Sequence, residues 1–208
     1  MADATAISDQ HTAETGTTMA SRSRRVSGRT VLTLGCFAMA WFAWGQAEAS
    51  GALSAALAVG IAAALVVSAL GAIATFGRAP AAGDRHDAAA RPRYGSLIAI
   101  EFALIGLGAW ALGATDVAAY IPVWVCAVVG LHFFPLASIV GAPALRWLGA
   151  AVSAVAGAAL LVGLLSDTAP SSVAGAGAGL ALLTFAMLVL AGPTWTMRRH
   201  AGSRPPAP

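Results

Sequence analysis

The chain has 208 residues, 58% of them hydrophobic and only 10% charged, and its twelve basic and nine acidic side chains leave a net charge of +3. A soluble domain carries about a quarter of its residues as charged side chains, so this composition excludes an ordinary water-soluble globule and names lipid as the solvent. The basic residues are all Arg and stand between apolar runs instead of forming a patch, so the expected partner is a lipid bilayer and not nucleic acid.

Residues 1–28 come first, rich in Ala, Ser and Thr, with scattered charge and no apolar periodicity. Such a segment cannot bury enough surface to offset the entropy of ordering, which predicts a disordered cytoplasmic tail. Six apolar runs follow, at about 30–47, 51–77, 94–114, 119–140, 145–165 and 173–194. At about 1.5 Å per helical residue, each is of the length that crosses a hydrocarbon core of about 30 Å. Helices are expected because lipid offers no partner to backbone N–H and C=O groups, and the runs lack the alternation of a barrel strand. The reading is an all-α polytopic transmembrane helical bundle over residues 29–195, with six spans in three antiparallel hairpins, closed by a cytoplasmic tail at 196–208.

The first run is open to a second reading. Basic residues, an apolar stretch and Ala47-Glu48-Ala49 resemble a cleaved secretory signal, whereas the length of the stretch, its bulky Trp41, Phe42 and Trp44 and the long preceding tail favour a retained span. The gaps between runs then sort the charges. Arg22, Arg24, Arg25, Arg29, Arg78, Arg85, Arg91, Arg93, Arg146, Arg198, Arg199 and Arg204 fall on one side; Glu48, Asp116 and Asp167 fall on the other. The positive-inside rule makes the arginine side cytoplasmic, both termini included, with no room for an exterior domain. The lack of Lys and the wealth of Ala, Gly and Arg point to GC-rich codons, and so to a bacterial plasma membrane.

Helices in lipid associate by close backbone approach, which small residues permit. Ala52, Ala56, Gly60, Ala64, Ser68 and Ala72 recur every four residues along the second run and form a smooth stripe, the expected central packing contact. Gly149, Ser153 and Gly157 in the fifth run and Gly175 and Gly179 in the sixth repeat the device more weakly. Cys36 and Cys126 lie inside different apolar runs, as small hydrophobes and not as a disulfide framework.

Ionisable side chains in hydrocarbon are costly, which makes them functional candidates. There are two, Glu101 on the third span and His132 on the fourth. Counted from the cytoplasmic ends of their spans, both lie about 10–12 Å deep, so an antiparallel hairpin lets them meet. Ser153 reaches the same depth, and Ser68 and Thr184 lie slightly deeper, which outlines a polar layer in the inner leaflet. Pro135 frees the carbonyl of Leu131 beside His132 and marks a helix kink. Two readings stay open: the pair satisfies itself and fixes helix register, or it lines a proton-responsive or cavity site.

Trp41, Trp44, Trp110, Trp124, Trp147 and Trp195 stand near run ends, as an interfacial belt would place them. No HExxH, GxSxG or phosphate-cradling glycine loop occurs, and no paired acids suit phosphatidyl transfer, so no catalytic residue is expected. His11, His86 and His200 lie outside the spans, so neither a metal site nor a two-His haem is expected, and no cofactor.

The segment Gly130-Leu131-His132-Phe133, followed by Pro135-Leu136-Ala137, resembles a stretch of uncharacterised small bacterial multi-pass membrane proteins. The resemblance covers about one span in six and implies a multi-pass fold without an activity. The leading expectation is therefore a structural or accessory helical bundle in the plasma membrane. The alternative is a small-solute or proton-linked permease using the inner-leaflet Glu/His site, with a homodimer through the small-residue stripe supplying two transporter halves.

Overall fold

The computed structural model describes residues 28–77 and 91–192. The two tails, most of the 78–93 loop and Trp195 lie outside the described residues. Six helices form among them: α1 over residues 28–46, α2 Gly51–Phe76, α3 Arg91–Gly113, α4 Ile121–Val140, α5 Ala144–Leu165 and α6 Pro170–Ala191. A 3₁₀ turn, Ala118–Tyr120, leads into α4. No strand occurs among the described residues.

Local chemistry sets the breaks. Pro122 occupies the first turn of α4, where its missing N–H is no loss. Gly141 ends α4 in the left-handed region at φ 67°, its N–H bonded to the Ala137 carbonyl, and Ala142 N–H bonds the same carbonyl at 3.0 Å. That cap reverses the chain in a few residues, Pro143 blocks continuation, and α5 starts at Ala144. Pro170 opens α6 in the same manner.

Among the described residues, five helices, α2 to α6, are long and apolar enough to cross a membrane. Helix α1 lies outside that group but runs antiparallel along α2. Gly28 stands against Thr75, Gly35 against Ser68, Leu32 against Gly71 and Phe42 against Gly60, so α1 occupies the depth of the helix it lies on. The chain is thus a multi-pass membrane protein with an all-α bundle.

The expected hairpins are present as antiparallel neighbours, yet they are not the units of packing. Among α2 to α6, the most extensive contact joins α4 to α5, across the boundary between the second and third hairpins. The physical reason is a run of small residues: Gly130 faces Ser153, and Gly149 faces the Gly130 carbonyl and Phe133. Helix α6 forms the centre. It touches α2, α4 and α5, and it meets α1 where Gly175 abuts the backbone of Gly45 and Gly179 lies under the Phe42 ring. Ala174, Ala178, Leu182 and Ala186 of α6 are buried at 0 or 1% exposure, which marks the core.

The small-residue stripe of α2 is covered unevenly within the chain. Ala64 and Ser68 are buried and Gly60 and Ala72 half-buried, but Ala52 and Ala56 are exposed. Steps of four residues drift by about 40° each around a helix, so the row passes beneath α1 only in its middle. The face that α1 covers recurs at seven instead: Leu57, Ala64 and Gly71, flanked by Ser68 and Thr75. Gly157 has no neighbour close enough to need a glycine. Both cysteines are free, Cys126 buried and Cys36 exposed.

The tryptophans divide. Trp110 and Trp147 are exposed, as a belt requires. Trp41 is 5% exposed and stacks on Trp44 with ring centroids 5.6 Å apart, and Trp124, itself exposed, donates its N–H across to α3, to the Leu104 carbonyl at 3.0 Å.

Candidate functional site

Helices α3 and α4 carry the two ionisable groups that lie within the spans. The register is set at the outer half, where the Trp124 indole of α4 lies over Gly108 of α3 and donates to Leu104. From that clamp the antiparallel geometry brings Glu101 opposite His132. Nδ1 of His132 and Oε2 of Glu101 are 3.2 Å apart, with the side chains 10% and 16% exposed respectively. This is ion-pairing distance, but the ring N–H is not aligned on the carboxylate, and Nδ1 has no hydrogen-bond partner among the described residues. Phe133 presents its ring to the imidazole edge-on at 6.3 Å.

Such a pair can exist as imidazolium and carboxylate or as imidazole and carboxylic acid. In either form it is neutral as a unit, which is what hydrocarbon tolerates. Its proton can move within the pair without charge leaving the site.

The remaining residues of the expected polar layer are placed elsewhere. Ser153 faces Gly130 from α5. Gly130 and His132 are two residues apart on one helix, about 200° around its axis, so Ser153 and Glu101 stand on opposite sides of α4. The Ser153 hydroxyl is buried without a hydrogen bond among the described residues. Ser68 packs on Gly35 between α1 and α2 and donates to its own Ala64 carbonyl at 2.7 Å. Thr184 opens onto a groove between α5 and α6. Shared depth therefore does not mean shared space. Pro135 is exposed on an α4 that is helical from Ile121 to Val140.

Sequence patterning does not point to the other end of the bundle, where only Gln46 stands out. Ser171 on the first turn of α6 donates to the Glu48 carboxylate, and Ser172 donates to the Gly45 carbonyl at 3.2 Å. Gln46 donates to Ser54 at 2.8 Å, and Tyr120 to the Gly163 carbonyl at 2.9 Å. The Ser171–Glu48 bond borders a hollow of about 170 Å³, also walled by Trp44, Ile121 and Pro122. The one legible signal is Ser171-Ser172 after Pro170, donors at a helix start that an acid from another segment can use.

A second hollow, of about 400 Å³, is the groove between α5 and α6. Neither hollow is lined by Glu101 or His132. Among the described residues no three of His, Cys, Asp and Glu converge as metal ligands would. No protein-family model matches the chain, and neither a curated protein nor a solved structure matches it.

Proposed function

We propose that the chain is a bacterial plasma-membrane protein with both termini in the cytoplasm, acting as a structural or accessory helical bundle. The observation that carries this reading is the closure of Glu101 on His132 between α3 and α4, with neither hollow reaching the pair. A permease needs its ionisable groups on a path that water or solute can enter. Here they hold one helix against another.

The orientation rests on the sorting of charge. Arg29, Arg91, Arg93 and Arg146 stand at one end of the helices, and Glu48, Asp116 and Asp167 at the other.

Proton flux tests the function. In vesicles reconstituted with the purified full chain and loaded with a pH-sensitive dye, an imposed pH gradient decays at the rate of empty vesicles for both wild type and Glu101→Gln. A leak above that background that disappears in Glu101→Gln would overturn the bundle reading in favour of proton-linked transport.

A further inference from the structure

The hollow at the acid-bearing end of the bundle takes no part in the Glu101–His132 pair. It lies where three elements meet: the end of α1 with the residues after it, the turn into α4, and the first turn of α6. Ser172 donates to the Gly45 carbonyl and Gly175 abuts Gly45, so the stretch that carries Trp44 and Glu48 is fixed on α6. The hollow's volume of about 170 Å³ exceeds the roughly 150 Å³ that holds a benzene ring in an engineered protein cavity, so it admits a molecule of about six or seven non-hydrogen atoms.

The polar side chains of its wall are one carboxylate and one hydroxyl. Ser171, 4% exposed, spends its O–H on Glu48, which orients the carboxylate without neutralising it. Glu48 is exposed and has no basic group within ion-pair distance among the described residues, and the arginines of the described helices stand at the opposite end. The first turn of α6 favours one negative charge, and Glu48 already supplies it, so a second anion has little to gain there. Trp44 gives the hollow an aromatic wall, its ring plane set by stacking on Trp41 at 19°. Ile121, Pro122, Ala118 and Ala119 add no side-chain donor or acceptor.

We propose that this hollow binds a small quaternary ammonium cation, with Glu48 as its counter-charge and the Trp44 ring as its cation–π face. A primary ammonium carries three N–H donors and would leave some unpaired against the apolar walls. Methyl groups around a quaternary nitrogen need no hydrogen bond and pack on Ile121 and Pro122. A bare metal ion is not suited, since among the described residues no three of His, Cys, Asp and Glu converge as ligands. The site goes beyond the bundle reading and is independent of the choice between bundle and permease.

Calorimetry tests the charge directly. The full chain in maltoside micelles is titrated with choline chloride and, in parallel, with the neutral isostere 3,3-dimethylbutan-1-ol, and the heat of empty micelles is subtracted. Choline is expected to bind about tenfold tighter, the preference that a cation–π contact beside a carboxylate supplies. Glu48→Gln keeps an acceptor for Ser171 and should bring choline down to the level of the neutral isostere. Trp44→Leu should weaken choline about fivefold, and Ala119→Leu, which fills the hollow, serves in its place if circular dichroism shows that Trp44→Leu is misfolded. Asp167→Asn removes an acid that does not line the hollow and should change nothing. Phosphatidylcholine added to the micelles separates the two sources of the group: competition with choline assigns the site to a lipid headgroup, and an unshifted isotherm assigns it to a free solute. Equal binding of the two probes by wild type, a preference that survives Glu48→Gln, or one lost equally in Asp167→Asn would overturn the proposal.

Discussion

Helices α3 and α6 have similar lengths and are both apolar enough to cross a membrane, but the protein treats them differently. None of the apolar stretch of α3 is buried, whereas α6 sits at the centre and buries Ala174, Gly175, Ala178, Gly179, Leu182 and Ala186. Lipid is as good a solvent for leucine as a protein core, so apolarity alone cannot bring helices together. Small residues let α1 close onto α6 with backbone against backbone at Gly45 and Gly175. Helix α3 exposes Phe102, Leu107 and Trp110, and it is fastened by the Glu101–His132 pair and the Trp124 hydrogen bond. One helix is held by shape and the other by polar contacts.

The sharpest way to break this contrast is to add a side chain to each helix. Gly175→Leu drives its side chain into Gly45 and should destabilise the bundle by about 3 kcal/mol. Gly106→Leu on α3 meets open space and should change stability by less than about 0.5 kcal/mol. Equilibrium unfolding in mixed micelles reads both, and similar losses for the two variants would erase the distinction.

The polar fastening of α3 makes the second test. His132→Leu leaves Glu101 alone in hydrocarbon and should cost about 2–3 kcal/mol. The double variant Glu101→Leu/His132→Leu should recover most of that loss, because an apolar pair needs no compensation. Recovery measured in the same unfolding assay identifies mutual satisfaction; a double variant as unstable as the single would show that the pair does more than satisfy itself. Of the substitutions that remove a contact, Trp124→Phe is expected to have the smallest effect: it keeps most of the ring over Gly108 but removes the bond to Leu104 and should cost about 0.6 kcal/mol. Faster amide exchange confined to α3 would place that loss at the α3–α4 interface.

Parts of the site are legible in the amino-acid sequence. Glu101 and His132 can be paired from depth alone, because helical rise converts residue count into distance along the bundle axis. Ser153 and Ser68 satisfy the same depth condition and go to other interfaces, since depth carries no information about direction around the axis. Within the chain the α2 stripe is covered at Ala64 and Ser68 and left exposed at Ala52 and Ala56 for a related reason: a row of small residues shows where approach is possible, and the partner's own surface decides which part is used. The Glu48–Ser171 contact joins residues 123 apart in the chain, and no local pattern announces such a pair.

Taken alone, the sequence determined that this chain belongs in lipid, that it is helical, and where the helices run, because hydrocarbon forces every backbone group to be satisfied within its own segment. It also sorted arginines from acids across the gaps. The tertiary structure alone decided which helices touch: that α4 and α5 share the most extensive contact among α2 to α6, that α6 is central, that α3 meets α4 at Glu101 and His132, and that α5 and α6 part to leave a groove. Those outcomes depend on the fit of two surfaces at once, and a hydropathy pattern describes only one surface at a time.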